Sequence, residues 1–435
     1  MQVQFAFSGD LAARSFIYKG IEPPTDKLVP KEQEYAIFLG ETSVYRKPFF
    51  WIPDRLKNRN VFIIGTTGAG KSTTLYSWID RAGIEGKANV LIIDFTGEYT
   101  EYVLDRGGRV IHLGKRDAVN PLDLGGMDPA TRTMQVLNSL SIAFDLEGAT
   151  RQRRKMRELL EEAYRRKGIH PDDPETWNRE PPTLKDVYQI LEGKIAEIEE
   201  EGGSSALKES LISLGEKFVF YISPPNDYFA RQSTVKLDDF AGGGLISLNL
   251  SDLPDKKSKA MVALAILDFM EERMRRDGFT SNLRGVKQYI IIDEPWKIAS
   301  EKDDGSSPLL AFAKECRKYG YAIIIATQNL NDISPRVVSN LSGMIIILQL
   351  ENANERDALC KSFGIPDRIK EKITSYDTWQ CAVKLNFKEG GIAIFEARIK
   401  PELKDNPLII RFEEPRRVNW RMIEYYFERV KSHLG

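Results

Sequence analysis

The stretch Gly65-Thr66-Thr67-Gly68-Ala69-Gly70-Lys71-Ser72 decides how this chain must be read. Just before it, Asn60-Val61-Phe62-Ile63-Ile64 is a short β-branched run of the kind buried on both faces of a parallel sheet. A helical stretch begins near Lys71. A strand, a turn of the form G-x-x-x-x-G-K-[ST] and a helix, in that order, make a phosphate-binding loop. The glycines let successive backbone N–H groups turn inward around an anion, and the helix N-terminus adds the positive end of its dipole. This context predicts that Gly65, Thr66, Thr67, Gly68, Ala69, Gly70, Lys71, Ser72 and Thr73 hold the phosphates of ATP. Lys71 is expected to reach the β and γ phosphates, and Ser72 to ligate Mg²⁺.

Phosphoryl transfer also needs a second metal ligand and a group that orients water, both at the end of a core strand. Tyr289-Ile290-Ile291-Ile292-Asp293-Glu294 supplies such a strand end. Asp293 is the expected Mg²⁺ ligand, directly or through water, and Glu294 the residue that polarises the attacking water. More than two hundred residues separate this pair from the phosphate loop, so at least one strand is expected between the two in the sheet. That is the additional-strand, RecA-like arrangement of an α/β fold with a mostly parallel sheet. The next strand, Tyr321 to Ala326, runs into Thr327-Gln328, which puts the Gln328 amide where it can report a γ-phosphate.

Charge gives no hint of a polyanionic partner, because 62 Lys and Arg stand against 63 Asp and Glu. Any nucleic-acid contact must come from local sites. Cys316, Cys360 and Cys381 form no C-x-x-C pair and no histidine sits at ligand spacing, so no structural metal is expected and the cysteines are assigned to packing in a reducing compartment. No apolar run approaches the roughly 18 residues that span a bilayer, and the N-terminus lacks the pattern of a signal peptide. The expected location is the cytoplasm, or the periphery of the inner face of a membrane.

Along the chain, residues 1–60 read as a short strand-and-turn lead-in with prolines at 23, 24, 30, 48 and 53. Residues 61–128 and 219–400 are assigned to the ATPase core and 129–218 to an all-α insertion. In the insertion Leu184, Val187, Tyr188, Leu191, Ile195 and Ile198 recur at helical spacing after Thr183 and Asp186. The remainder, 401–435, is a tail with a helix over Trp420 to His433.

Five segments together resemble the HerA/FtsK superfamily of P-loop ATPases: Gly65 to Ser72, Ile92-Ile93-Asp94-Phe95-Thr96-Gly97-Glu98-Tyr99, Asn120-Pro121-Leu122-Asp123, Asp293-Glu294-Pro295-Trp296, and Arg317-Lys318-Tyr319-Gly320 leading to Ala326-Thr327-Gln328. The Asp94 to Tyr99 segment looks like HerA, whereas Asp293 to Trp296 is similar to the conjugation-type secretion ATPases. The resemblance implies an ATP-driven DNA translocase that works as a hexameric homo-oligomer with DNA in a central channel. The two branches imply different further partners, a nuclease or a membrane channel. The alternative is a secretion or pilus-assembly ATPase that moves protein. The resemblance also implies an arginine supplied by the neighbouring subunit. Arg317 matches that position best, followed by Arg336 and Arg356. Asp94 and Glu98 either position metal or water, or cap and bridge the local turn. For DNA, the candidate contacts are Pro254-Asp255-Lys256-Lys257-Ser258-Lys259, read as a pore loop, and Arg151-Gln152-Arg153-Arg154-Lys155; each is equally readable as a solvated charged face.

Overall fold

The structure is a computed structural model that describes residues 17–85, 88–146, 148–224, 226–280, 284–295, 298, 308–329, 333, 338 and 342–401. Trp296, the segment 300–307, Arg336 and the expected helix over 420–433 lie outside the described residues. The strands are β1 Ile17–Lys19, β2 Ile37–Thr42, β3 Pro48–Trp51, β4 Asn60–Ile64, β5 Asn89–Asp94, β6 Arg109–His112, β7 Leu245–Asn249, β8 Gln288–Asp293, β9 Tyr321–Thr327, β10 Ser342–Ile347, β11 Gln380–Asn386 and β12 Ile392–Ile399. The α-helices are α1 Thr25–Leu28, α2 Lys71–Trp78, α3 Thr100–Asp105, α4 Pro129–Ala143, α5 Thr150–Arg166, α6 Leu184–Glu200, α7 Ser205–Ile222, α8 Lys256–Asp277, α9 Pro308–Glu315, α10 Ala353–Phe363 and α11 Asp367–Lys370. The chain divides into two compact units, one of Met1–Ala88, Ser281–Tyr289 and Gly320–Gly435, the other of Asn89–Thr280 and Ile290–Tyr319.

In the first unit the strands follow the order β3-β2-β12-β11-β10-β4-β9, and then β8 through its first two residues, with β1 added beside β12. Strands β10, β4 and β9 are parallel and buried along their whole length, as their unbroken apolar runs require. One polar residue in β4 sets the register: the Asn60 side-chain oxygen accepts the backbone N–H of Ile323, 3.0 Å away. A single strand, β9, thus separates the phosphate-loop strand from β8.

The proline-punctuated N-terminal stretch is built into this sheet, since β2 pairs with both β12 and β3. Behind it, Trp51 meets Trp78 edge-on at 5.1 Å, and the buried Tyr35 and Tyr289 hydroxyls share a bond of 2.8 Å. Burial pushes both phenols well above their ordinary pKa, so they stay neutral and able to donate.

The second unit holds the rest of β8 and then β5, β7 and β6, the last three parallel. Among the described residues four α-helices, α4 to α7, run between 129 and 222. Asp128 caps α4, with Pro129 at its first position, and Thr183 with Asp186 forms a capping box at the start of α6. Such caps stabilise a helix by about 1 kcal/mol each. Phe144 fills the space between these helices, stacked on Tyr221 at 5.0 Å and edge-on to Phe218 at 4.9 Å.

In the segment read as a pore loop, Lys256 to Lys259 form the first turn of a helix. Helix α8 starts at Lys256, because the Asp255 carboxylate accepts from Lys257 N at 2.7 Å and Ser258 N at 3.0 Å and so caps it. Two of its lysines are engaged within the unit: Lys257 pairs with Asp145, and Lys259 donates to the Phe95 carbonyl at 2.8 Å. Burial lowers the Lys259 pKa, against the pull of Asp94, Asp252 and Asp255. In α5, Arg154 and Lys155 pair with Glu158, and Arg153 donates to Asn138.

Candidate nucleotide site

In the first unit the phosphate loop leaves β4 and is tied down on both sides. Gly65 N donates to the Thr327 carbonyl at the end of β9, and Thr66 N to the Gln349 carbonyl at 2.8 Å. Gly68 and Gly70 have φ of +80° and +102°, which favour glycine and let the loop curl into the helix. Lys71 is only 8% exposed, and its ammonium donates to the Gly65 carbonyl at 2.7 Å and the Thr66 carbonyl at 3.0 Å, inside the curve of the loop. Ser72 and Thr73 follow in the first turn of α2, both partly exposed. Gln328, one residue past β9, is brought to the loop: its side-chain oxygen accepts the Thr67 hydroxyl at 2.7 Å.

In the second unit Asp293 is the last residue of β8 and Glu294 follows it with φ of +60°. A non-glycine residue held in this left-handed region costs on the order of 1–3 kcal/mol, and such outliers persist where the surroundings over-determine them. The strain turns the chain immediately after Asp293. The Asp293 carboxylate accepts the hydroxyl of Tyr99 at 2.8 Å, and Tyr99 is fully buried. Tyr99 is itself placed by Asp94, whose buried carboxylate accepts the backbone N–H of Thr96, Gly97 and Tyr99 at 3.2, 2.7 and 3.0 Å. Of the two roles open to Asp94, holding the local turn is the one these bonds display. Glu98 is exposed. Tyr99 belongs to a quoted motif, but its bond to Asp293 is what motif reading missed, since nothing in its spacing shows that it would reach a side chain 194 positions away.

Arg317 sits in the short 3-10 turn Cys316–Tyr319 of the second unit, partly exposed. Arg356, in α10 of the first unit, pairs with Asp357 at 2.9 Å. The phosphate-loop residues of the first unit fit the phosphates of a nucleotide. The loop's backbone N–H groups and the Lys71 ammonium suit a polyphosphate, and a side chain built on Gly68 would meet nothing within 4 Å. The Ser72 hydroxyl of the first unit and, separately, the Asp293 carboxylate of the second are each oxygen donors of the kind Mg²⁺ takes. Among the described residues no group of three or more His, Cys, Asp or Glu is placed to hold a metal alone.

The model of the central domain of helicase HerA matches residues 52–270, just over half of the chain. The chain belongs to this HerA family. It is 23% identical over 330 residues to the DNA double-strand break repair helicase HerA of Sulfurisphaera tokodaii, an alignment that covers 75% of this chain and 62% of that one. A probable helicase of Methanocaldococcus jannaschii is 20% identical, over 76% of this chain and 60% of the other. The chain thus spans about three fifths of the length of the HerA-type relatives it matches.

The fold of this HerA-family chain is similar to that of VirB4 of Thermoanaerobacter pseudethanolicus, with a TM-score of 0.68 and 20% identity over 86% of this chain and 97% of that one. It is also similar to the plasmid coupling protein TrwB, solved with a non-hydrolysable ATP analogue, with a TM-score of 0.61 and 14% identity over 93% and 99% of the two chains. These likenesses establish the RecA-like α/β class, with a mostly parallel sheet and helices. Among the described residues no helix is long and apolar enough to cross a membrane.

Proposed function

We propose that this HerA-family chain binds ATP and Mg²⁺, hydrolyses ATP to ADP and phosphate, and as a hexameric ring uses that hydrolysis to move DNA. The observation that carries this reading is the phosphate loop with Lys71 curled inside it and Gln328 already bonded to its Thr67. A loop of that design alone describes any nucleotide binder; a glutamine held on it from the adjacent parallel strand supports a site that responds to the γ-phosphate.

In this reading the backbone of the loop and Lys71 grip the triphosphate, while Ser72 and Asp293 hold the metal. Bound Mg²⁺ supplies neutralising charge to the phosphates. Glu294, which follows Asp293 in the left-handed region, accepts the proton of the attacking water. Arg317 acts on the site of a neighbouring copy, so that hydrolysis depends on the assembled ring. The location is the cytoplasm or the inner face of a membrane, with a nuclease or a membrane channel as further partner. The names of the HerA relatives favour DNA as the cargo.

Steady-state hydrolysis with and without duplex DNA, run beside a measurement of particle mass, tests this directly. A particle of six copies stimulated several-fold by duplex DNA is expected. A monomer indifferent to DNA removes the translocase, and a ring indifferent to DNA favours the protein-moving alternative.

Tyr99 gives a finer test. Its hydroxyl donates to the Asp293 carboxylate at 2.8 Å, and partners that orient a metal ligand are typically worth 10- to 100-fold in metal affinity. Tyr99→Phe is therefore expected to raise the Mg²⁺ concentration for half-maximal hydrolysis about tenfold, with ATP affinity at saturating Mg²⁺ little changed. A Mg²⁺ titration identical to that of the unaltered protein would leave Asp293 without a metal role.

A further inference from the structure

One aromatic residue sits against the phosphate loop without belonging to any motif. Trp379, partly exposed, lies just before β11 in the first unit. Its indole Nε1 donates to the Thr73 hydroxyl at 2.7 Å, and its backbone N–H to the Ala69 carbonyl at 3.1 Å. The pyrrole edge of the ring is so close to Gly70 that a Cβ built there would come within 2.3 Å of it, so the loop and the tryptophan fit only because residue 70 is glycine. Trp379 has φ of +68°, a left-handed conformation that a bulky residue rarely adopts.

Several bonds hold it there. Ile399 N donates to the Trp379 carbonyl at 2.8 Å, Arg398 pairs with Asp377 at 3.0 Å, Gln349 donates to the Thr374 carbonyl at 3.1 Å, and the buried Tyr376 donates to Glu396 at 3.2 Å. The indole is a fixed wall.

The strand order tells which end of a nucleotide this wall faces. Beside β4, the β9 side carries Gln328 on Thr67, the γ-phosphate end of the proposed site. The β10-β11 side lies across β4 from it, and Trp379 approaches from there onto Thr73, two residues past the lysine. We infer that Trp379 is the wall for the nucleoside end of ATP, a π-face against which the base packs while the loop holds the phosphates. This rests on the phosphate-loop reading above and adds to it a residue that no motif assigns. Its indole N–H is committed to Thr73, so what the side chain offers a base is area rather than a donor.

The experiment compares two probes, ATP and inorganic tripolyphosphate, by calorimetric binding with Mg²⁺ to the full chain carrying Trp379→Ala or Trp379→Phe. Stacking of a base on an aromatic ring, removed by alanine, commonly changes affinity about tenfold. Trp379→Ala is expected to weaken ATP about tenfold and leave tripolyphosphate unchanged, which also shows that the loop is intact. Trp379→Phe, which keeps a ring and loses the bond to Thr73, is expected to bind ATP within about threefold of the unaltered protein. Equal weakening of ATP and tripolyphosphate would mean that Trp379 only shapes the loop, and unchanged ATP affinity in the alanine variant would mean that no base packs there; either overturns the inference. If the unaltered protein binds neither probe, the phosphate-loop reading itself fails, and the inference with it.

Discussion

Glu294→Gln is expected to bind ATP as tightly as the unaltered protein while hydrolysing it about a thousandfold more slowly. The substitution replaces one carboxylate oxygen by an amide of nearly the same shape, so the left-handed turn after Asp293 carries the same steric load in both forms. What is lost is the capacity to accept a proton from water. Positioned general bases contribute roughly 10²- to 10⁴-fold to rate, so the loss belongs in kcat and not in KM. Single-turnover hydrolysis beside equilibrium ATP binding separates the two. Hydrolysis at the normal rate would strip Glu294 of its assigned role and move attention to other acidic groups.

Lys71→Ala is expected to fail earlier, at binding. The ammonium now donates to the Gly65 and Thr66 carbonyls, so it is already aimed into the curve of the loop and a polyphosphate replaces weaker neutral acceptors by charged ones. Hydrogen bonds to charged groups contribute about 1.5–3 kcal/mol each, and losing the lysine should weaken ATP on the order of a hundredfold. The alanine form also loses the lysine's bonds to the Gly65 and Thr66 carbonyls, the latter keeping the Ala69 N–H at 3.2 Å, which predicts a modest drop in thermal midpoint in the absence of nucleotide. The discriminating result is the contrast between variants: binding kept in Glu294→Gln, binding lost in Lys71→Ala. Were both to bind ATP normally, the loop would not be the nucleotide site.

The parts of this architecture that could be read from residues alone are those in which local pattern and tertiary place agree. Strands β4, β8, β9 and β10 are apolar except at their ends because both of their faces are covered, and the distance between Ser72 and Asp293 in sequence foretold an intervening strand, which is β9. Strand β11 was illegible for the opposite reason. Lys384 stands in the middle of it, buried, with its ammonium donating to the Phe363 carbonyl at 2.9 Å and its pKa lowered by burial, so the run does not look like a core strand. In the segment 254–259 the charges resemble a loop, while the capping carboxylate of Asp255 and the pairing of Lys257 and Lys259 build a helix start over its last four residues.

At the candidate site the same division holds. The adjacency of Gln328 to the loop follows from strand order and was readable. Trp379 and Tyr99 act through contacts with residues 306 and 194 positions away, and no local spacing carries that information.

The bond between Tyr99 and Asp293 has a consequence for heredity. A phenylalanine arising at 99 would remove the hydroxyl that the Asp293 carboxylate accepts, and an alanine arising at 293 would remove the carboxylate at 2.8 Å from that hydroxyl, so either change alone costs this bond. The two positions should therefore drift across generations as a pair, and a descendant lacking the tyrosine should carry a substitute donor at the tip of the same strand.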